Sequence, residues 1–140
     1  MGKTIRLEII TPDRLLKAAE VSMVVARATD GDIGILPNHA PLITSLAIWP
    51  VKLKYEEAPD EYIAICGGFL EVSDNKITIL TPVGELPTEI DLARAEAAKA
   101  RAEERLKRHD ESIDISRAEI ALKRALARLK AVAMSKLHMK

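Results

Sequence analysis

Glycine and proline are confined to one part of this chain. Of its 140 residues, the six glycines (Gly2, Gly31, Gly34, Gly67, Gly68, Gly84) and seven prolines (Pro12, Pro37, Pro41, Pro50, Pro59, Pro82, Pro87) all lie before residue 88. These residues interrupt regular structure most strongly, so their segregation splits the chain in two. The first part must be strands and turns, and the second can be almost uninterrupted helix. The four aromatics, Trp49, Tyr55, Tyr62 and Phe69, also fall in the first part, where a sandwich core would take them. Charge divides at the same place. Residues 1–89 carry 8 Lys/Arg against 13 Asp/Glu, and residues 90–140 carry 13 against 8. The formal net charge of zero hides an acidic head and a basic tail that can attract each other.

Within the first part, Ile5 to Ile9 alternates apolar and polar as a half-buried strand does. Further short strands are expected at Leu15–Ala19, Val21–Ala26, Leu42–Ile48, Val51–Tyr55, Tyr62–Cys66, Phe69–Val72 and Lys76–Leu80. About eight to ten such strands, spaced by turn signals, point to an antiparallel sandwich or flattened barrel. Thr29 to Asp32 is a turn cluster, and the stretch from Ile33 to Pro41 is too broken by proline for a central strand or a helix. Gly67-Gly68 follows a strand and opens another, which indicates a tight turn or bulge. Thr81 to Pro87 is the expected linker. The domains are then residues 1–86 and 87–140.

Thr88 and Asp91 can each cap the helix that follows. Leu92, Ala95, Ala98, Ala102 and Leu106 form its narrow apolar seam. His109 to Ser112 breaks the pattern, and Asp114 or Ser116, the latter with Glu119 in capping-box spacing, starts a second helix. Its seam of Ile115, Ala118, Leu122, Ala125, Leu129 and Val132 is heptad-spaced. Two helices, a short connector and one apolar stripe each make an antiparallel hairpin. Alanine seams bring helices close but bury little area, so the hairpin should be marginal and able to switch.

No P-loop, nucleophile elbow or metal-spaced His/Cys set is present, and neither a secretory signal nor a membrane span is expected. The single cysteine, Cys66, reads as a buried strand residue of a protein from a reducing compartment. His39, between two prolines, reads as a packed or interface residue. The arginines say more. Arg94 and Arg101 share one face of the first helix, and Arg124 and Arg128 share one face of the second. Folding the chain about residues 111–112 brings Arg94 level with Arg128 and Arg101 level with Arg124. Such a cluster is either a solvated charged face, a polyphosphate site, or a nucleic-acid patch. The last is disfavoured, because the helices carry no aromatics for stacking and acidic residues interrupt the stripe.

The stretches Gly31-Asp32-Ile33-Gly34-Ile35-Leu36-Pro37-Asn38-His39-Ala40-Pro41-Leu42, Gly67-Gly68-Phe69-Leu70-Glu71-Val72 and Glu89-Ile90-Asp91-Leu92-Ala93-Arg94-Ala95 occur in this order. Together they resemble the epsilon subunit of bacterial F-type ATP synthase over the whole chain. The resemblance implies a ten-stranded all-β sandwich followed by a two-helix hairpin. It also implies a non-catalytic rotor subunit bound to the gamma subunit and the c-subunit ring. Such a subunit sits at the cytoplasmic face of the bacterial inner membrane and touches the membrane only through the complex. It further implies a regulatory ATP site, with or without Mg, formed by Ile90, Asp91, Arg94 and Ala95 together with Glu85, Arg101, Arg124 and Arg128. Ile90 and Asp91 would read the adenine edge through free backbone N–H groups at the helix start. Asp32 and the segment to His39 correspond to the rotor-facing edge. In an extended state the helices would reach the alpha/beta hexamer and block ATP hydrolysis, and ATP would favour the compact state. No catalytic cofactor and no nucleic-acid partner are implied. Two departures from the family's usual pattern stand out: Thr81 to Gly84 with Pro87 replaces an alanine- and acid-rich linker, and Trp49-Pro50 stands where a glycine turn is common. The alternative reading is a freestanding nucleotide-sensing adaptor with an arginine-lined site.

Overall fold

The computed structural model describes residues 3–108, 110 and 112–138. Met1 and Gly2, and His109 and Glu111 of the expected connector, lie outside the described residues. Nine strands come first: β1 (Ile5–Ile10), β2 (Leu15–Val21), β3 (Met23–Ala28), β4 (Gly31–Ile35), β5 (Leu42–Ile48), β6 (Val51–Lys54), β7 (Glu61–Ser73), β8 (Lys76–Leu80) and β9 (Gly84–Glu85). A 3-10 turn at Pro87–Glu89 leads into α1 (Leu92–Lys107), and α2 (Ile115–His138) follows. The strand order is β2-β1-β8-β7-β5-β3-β4, with β6 pairing β3 and β7, and β9 pairing β7. The β1–β8 pair is parallel and all the others are antiparallel.

Nine strands among the described residues fall within the eight to ten expected, but the set differs: Gly67-Gly68 does not turn the chain, and β4 and β9 form where a turn cluster and the linker were expected. The segments expected as two strands are one 13-residue strand, β7. Both glycines take positive φ, 79° and 114°, and the register against β5 continues past them, with Leu46 opposite Gly68 and Ile48 opposite Cys66. A Cβ on Gly68 would stand 2.0 Å from the Leu80 carbonyl oxygen, so only glycine fits there. Bending at the pair gives β7 two sets of neighbours. Its second half lies between β5 and β8, and its first half meets β6 and β9.

The expected linker is partly sheet. Gly84 and Glu85 pair with Ile65 and Ala64, the Cys66 N–H donates to the Val83 carbonyl, and Leu86 packs against the core. This pairing aims Glu85 at the hairpin.

Alternation in β1 buries Ile5, Leu7 and Ile9, which join Val24, Leu53, Ile63, Ile65, Leu70, Ile77 and Ile79 in one aliphatic core. Of the aromatics expected there, Tyr55 packs against this core, partly buried, while Phe69 and Tyr62 lie elsewhere. Phe69 is exposed on the head's surface, and Tyr62 packs outside the main core, with Ala64 against Ala131 of α2. Compact β-branched and leucine side chains fill a thin sandwich without the bulk of a ring.

Among the described residues the hairpin buries only alanine: Ala95 and Ala102 on α1, and Ala118, Ala125, Ala127 and Ala131 on α2. Asp91, not Thr88, caps α1, its Oδ1 accepting the Arg94 N–H at 3.1 Å. Asp114 starts α2 in the same way through the Arg117 N–H at 3.0 Å, which leaves Ser116 inside the helix.

Candidate nucleotide-binding site

A cavity of about 550 Å³ opens where β9, the 3-10 turn, α1 and α2 meet. Each element reaches it for a local reason. The β9–β7 pairing turns Glu85 inward, the Asp91 cap fixes where α1 begins, and helical spacing puts Arg94 and Arg101 on one wall. Arg128 enters from α2. The floor between them is made by Ala95, Ala97 and Ala98, whose small side chains leave the space open.

The wall charges are of two kinds. Arg128 Nε donates to Glu85 Oε1, with both side chains about a quarter exposed. Glu89 is bonded to Arg14 of the head, and its carboxyl is held below the ordinary glutamate range, first by the Leu86 N–H and then by Arg14. The Asp91 carboxylate is occupied at the helix cap. By contrast, among the described residues neither the Arg94 nor the Arg101 guanidinium has an ion pair or hydrogen-bond partner. Two unpaired cations facing an open cavity, with a third that can leave its carboxylate, suit a polyanion.

Comparison with known proteins decides the family. The ATP synthase Delta/Epsilon chain beta-sandwich domain matches residues 4–86, and the long alpha-helix domain of the same chain matches residues 88–133. The chain belongs to the ATP synthase epsilon chain family. It is similar to the epsilon chain of Pelotomaculum thermopropionicum, with 54% identity over 104 residues, covering 74% of this chain and 77% of that one. It is also similar to the epsilon chain of Natranaerobius thermophilus, with 49% identity over 112 residues and 79% of each chain covered. Among solved structures it resembles a chain in the Euglena gracilis mitochondrial ATP synthase OSCP/F1/c-ring assembly. There the TM-score is 0.78 at 26% identity, over 99% of this chain and 84% of that one.

Of the residues singled out in the sequence, Glu85, Asp91, Arg94, Ala95, Arg101 and Arg128 line the cavity. Ile90 and Arg124 do not. Ile90 packs beside Tyr62 and Ala131, and its N–H donates to the Pro87 carbonyl at 3.3 Å, so it is not free. Arg124 lies instead by Cys66, a half-buried thiol whose pKa is raised, first by burial, against the pull of Arg128 and Arg124. Glu89 was missed as a wall residue. Its spacing from Leu86 is a local signal, but its partner Arg14 is 75 positions away and carries none.

Elsewhere on the head, Asp32 lies on β4 at the edge of the sheet, where it lines a smaller cavity with Trp49 and with Lys130 and Met134 of α2. Arg27 Nε donates to its Oδ1 at 2.8 Å, which lowers the Asp32 pKa, while the same guanidinium stacks 4.0 Å from the Trp49 ring centre. His39 follows β4, its Nδ1 donating to the Ala40 carbonyl at 2.7 Å. Leu36 and Ile43 stand exposed on either side in sequence. Among the described residues no group of three or more His, Cys, Asp or Glu could hold a metal, and no helix is long and apolar enough to cross a membrane.

Proposed function

We propose that this epsilon chain is a non-catalytic central-stalk subunit that couples gamma to the c ring and senses ATP through its hairpin. The observation that carries the sensing role is the pair of unpartnered guanidiniums, Arg94 and Arg101, facing a cavity whose third arginine is held by Glu85. Triphosphate oxygens would take Arg128 from Glu85 and bridge α1, α2 and the head at once. The nucleotide therefore favours the closed hairpin. In this reading ATP is a regulatory ligand, bound and released.

The stalk role is supported by the F1/c-ring assembly that holds the structural relative. It is supported too by Asp32 on the β4 edge, Leu36 and His39 in the loop after it and Ile43 on β5, which offer charge and exposed apolar area to the c ring. In this role the chain is peripheral, at the cytoplasmic face of the bacterial inner membrane. Opening the hairpin lays α1 and α2 end to end. Their 16 and 24 residues at about 1.5 Å each span about 60 Å, enough to climb gamma into the alpha/beta hexamer and inhibit hydrolysis. A ligand at a hundredfold excess over Kd stabilises the closed form by about 2.7 kcal/mol, a decisive amount for alanine-packed helices.

Calorimetric titration of the isolated protein with ATP, with and without Mg, tests the sensing role. Saturable binding is expected, and Arg94→Ala and Arg128→Ala should each weaken it by roughly 1.5–3 kcal/mol, the scale of a charged hydrogen bond. Unchanged affinity in both variants would return these arginines to ordinary solvated helix charges.

A further inference from the structure

The start of α1 is tied to the opposite end of the sequence. Arg14 Nη2 donates to Glu89 Oε1 at 2.8 Å and to Oε2 at 2.7 Å. The same Oε1 accepts the Leu86 N–H at 2.9 Å, so one carboxylate holds both the 3-10 turn and the head. Arg14 is itself anchored. It closes the turn between β1 and β2, where its carbonyl accepts the Thr11 N–H at 2.9 Å and its own N–H donates to Thr11 Oγ1 at 3.3 Å. That turn is fixed in turn to the end of β8, because the Thr81 N–H donates to the Ile10 carbonyl at 3.0 Å. A continuous bonded path thus runs from the head's sheet to Glu89, a residue of the cavity wall.

We propose that Arg14 is a positioning residue for the nucleotide cavity, acting through Glu89 without touching the ligand. The inference rests on the reading of the cavity as an ATP site. Arg14 does two things there. It holds the 3-10 turn against the head, and with it the position of Asp91 and the first turn of α1, from which Arg94 projects. It also neutralises Glu89, a carboxylate that would otherwise present uncompensated negative charge to the phosphates. Leu86 packs against the core and Ile90 beside Tyr62 at the two ends of this turn, and Arg14 ties Glu89 between them to the head. Both partners are part-exposed, Arg14 by 48% and Glu89 by 34% of the side chain, so solvent screening keeps the effect moderate.

The experiment is ATP titration of the full chain as wild type, Arg14→Lys, Arg14→Ala, Glu89→Gln and the Arg14→Ala/Glu89→Gln pair, with hydrogen exchange followed over residues 86–95. Arg14→Ala should weaken ATP by about three- to fivefold, the range of a part-exposed ion pair, and should speed exchange at the 3-10 turn. The double variant should bind more tightly than Arg14→Ala, because the bare carboxylate has gone. Arg14→Lys, which keeps the charge and loses the fork, should fall between wild type and Arg14→Ala, and it carries the test if Arg14→Ala does not fold. Wild-type affinity in the Arg14 variants, or losses that simply multiply in the double variant, would overturn the proposal. If the wild type binds no ATP, the reading of the cavity fails separately. Exchange then decides the tether alone: faster exchange in Arg14→Ala retains it, and unchanged exchange removes it.

Discussion

The head and the hairpin are built from different amounts of the same force. The head buries Ile5, Leu7, Ile9, Ile63, Ile65, Leu70, Ile77 and Ile79 almost completely, and each such side chain stabilises by about 1.5–3 kcal/mol relative to exposure. Among the described residues every side chain buried in the hairpin is an alanine, while Leu92, Ile115, Ile120 and Leu126 remain more than a third exposed. A methyl group contributes about 0.8 kcal/mol. Close approach in the hairpin therefore yields shape without much free energy, and Glu85–Arg128 and the Ala131–Tyr62 contact must help keep it on the head. One sequence thus holds a region that fixes its own structure and a region whose structure depends on company. That asymmetry is what the proposed movable arm requires.

Cutting the chain gives the largest effect. A fragment ending at Leu86 should keep a cooperative unfolding transition, since the whole aliphatic cluster is retained. Residues 87–140 alone should show little helix by circular dichroism, because short helices without a docking surface are marginal in water. Helicity in the isolated hairpin equal to that in the full chain would break the comparison. Within the intact chain, Ile79→Ala should destabilise the head by about 2–5 kcal/mol, as removal of buried methylenes does. Ala125→Gly should destabilise the hairpin by only about 1 kcal/mol, mostly through helix propensity. Denaturation followed both by far-UV dichroism and by emission of Trp49, the single tryptophan, separates the two regions. A larger loss from Ala125→Gly than from Ile79→Ala would reverse their ranking.

What could be read from the sequence follows the same division. Local chemistry was legible: breakers separated the strands from the helices, and periodicity put Arg94 and Arg101 on one wall. Features decided at a distance were not. Gly67-Gly68 has the composition of a turn, and only the carbonyl of Leu80 behind Gly68 explains why a bent strand needs glycine there. Two candidate caps for each helix could not be separated by type, since Thr88 and Ser116 have the right side chains; the 3-10 turn and the position of α2 chose Asp91 and Asp114. Hairpin arithmetic treats both helices as straight rods in one register, so it put Arg124 beside Arg101, whereas docking on β7 leaves Arg124 near Cys66. The Arg14–Glu89 bond joins residues with no periodic relation at all.

Acid gives the smallest effect and the sharpest contrast, because each region holds a carboxylate whose pKa is lowered. Asp32 in the head is lowered chiefly by its hydrogen bond from Arg27. Glu89 at the foot of the hairpin is lowered first by the Leu86 N–H and then by Arg14. A folded-state pKa below the unfolded value means stability that is fully present above the unfolded pKa and lost as pH falls through the folded one. Both carboxylates are part-exposed, so the change should be a few degrees in melting temperature at most. Its location is the informative part. Glu89→Gln should lower the hairpin transition, seen by dichroism at 222 nm, at pH 7, and the difference from wild type should vanish only below the ordinary glutamate range. Asp32→Asn should act chiefly on the head, seen through Trp49, whose ring stacks on the arginine that Asp32 holds, with a smaller shift of the helical signal because Lys130 and Met134 of α2 line the same cavity. If Asp32→Asn moved the helical signal as much as Glu89→Gln does, the two regions would be unfolding as one, and the hairpin would not be an independently movable arm.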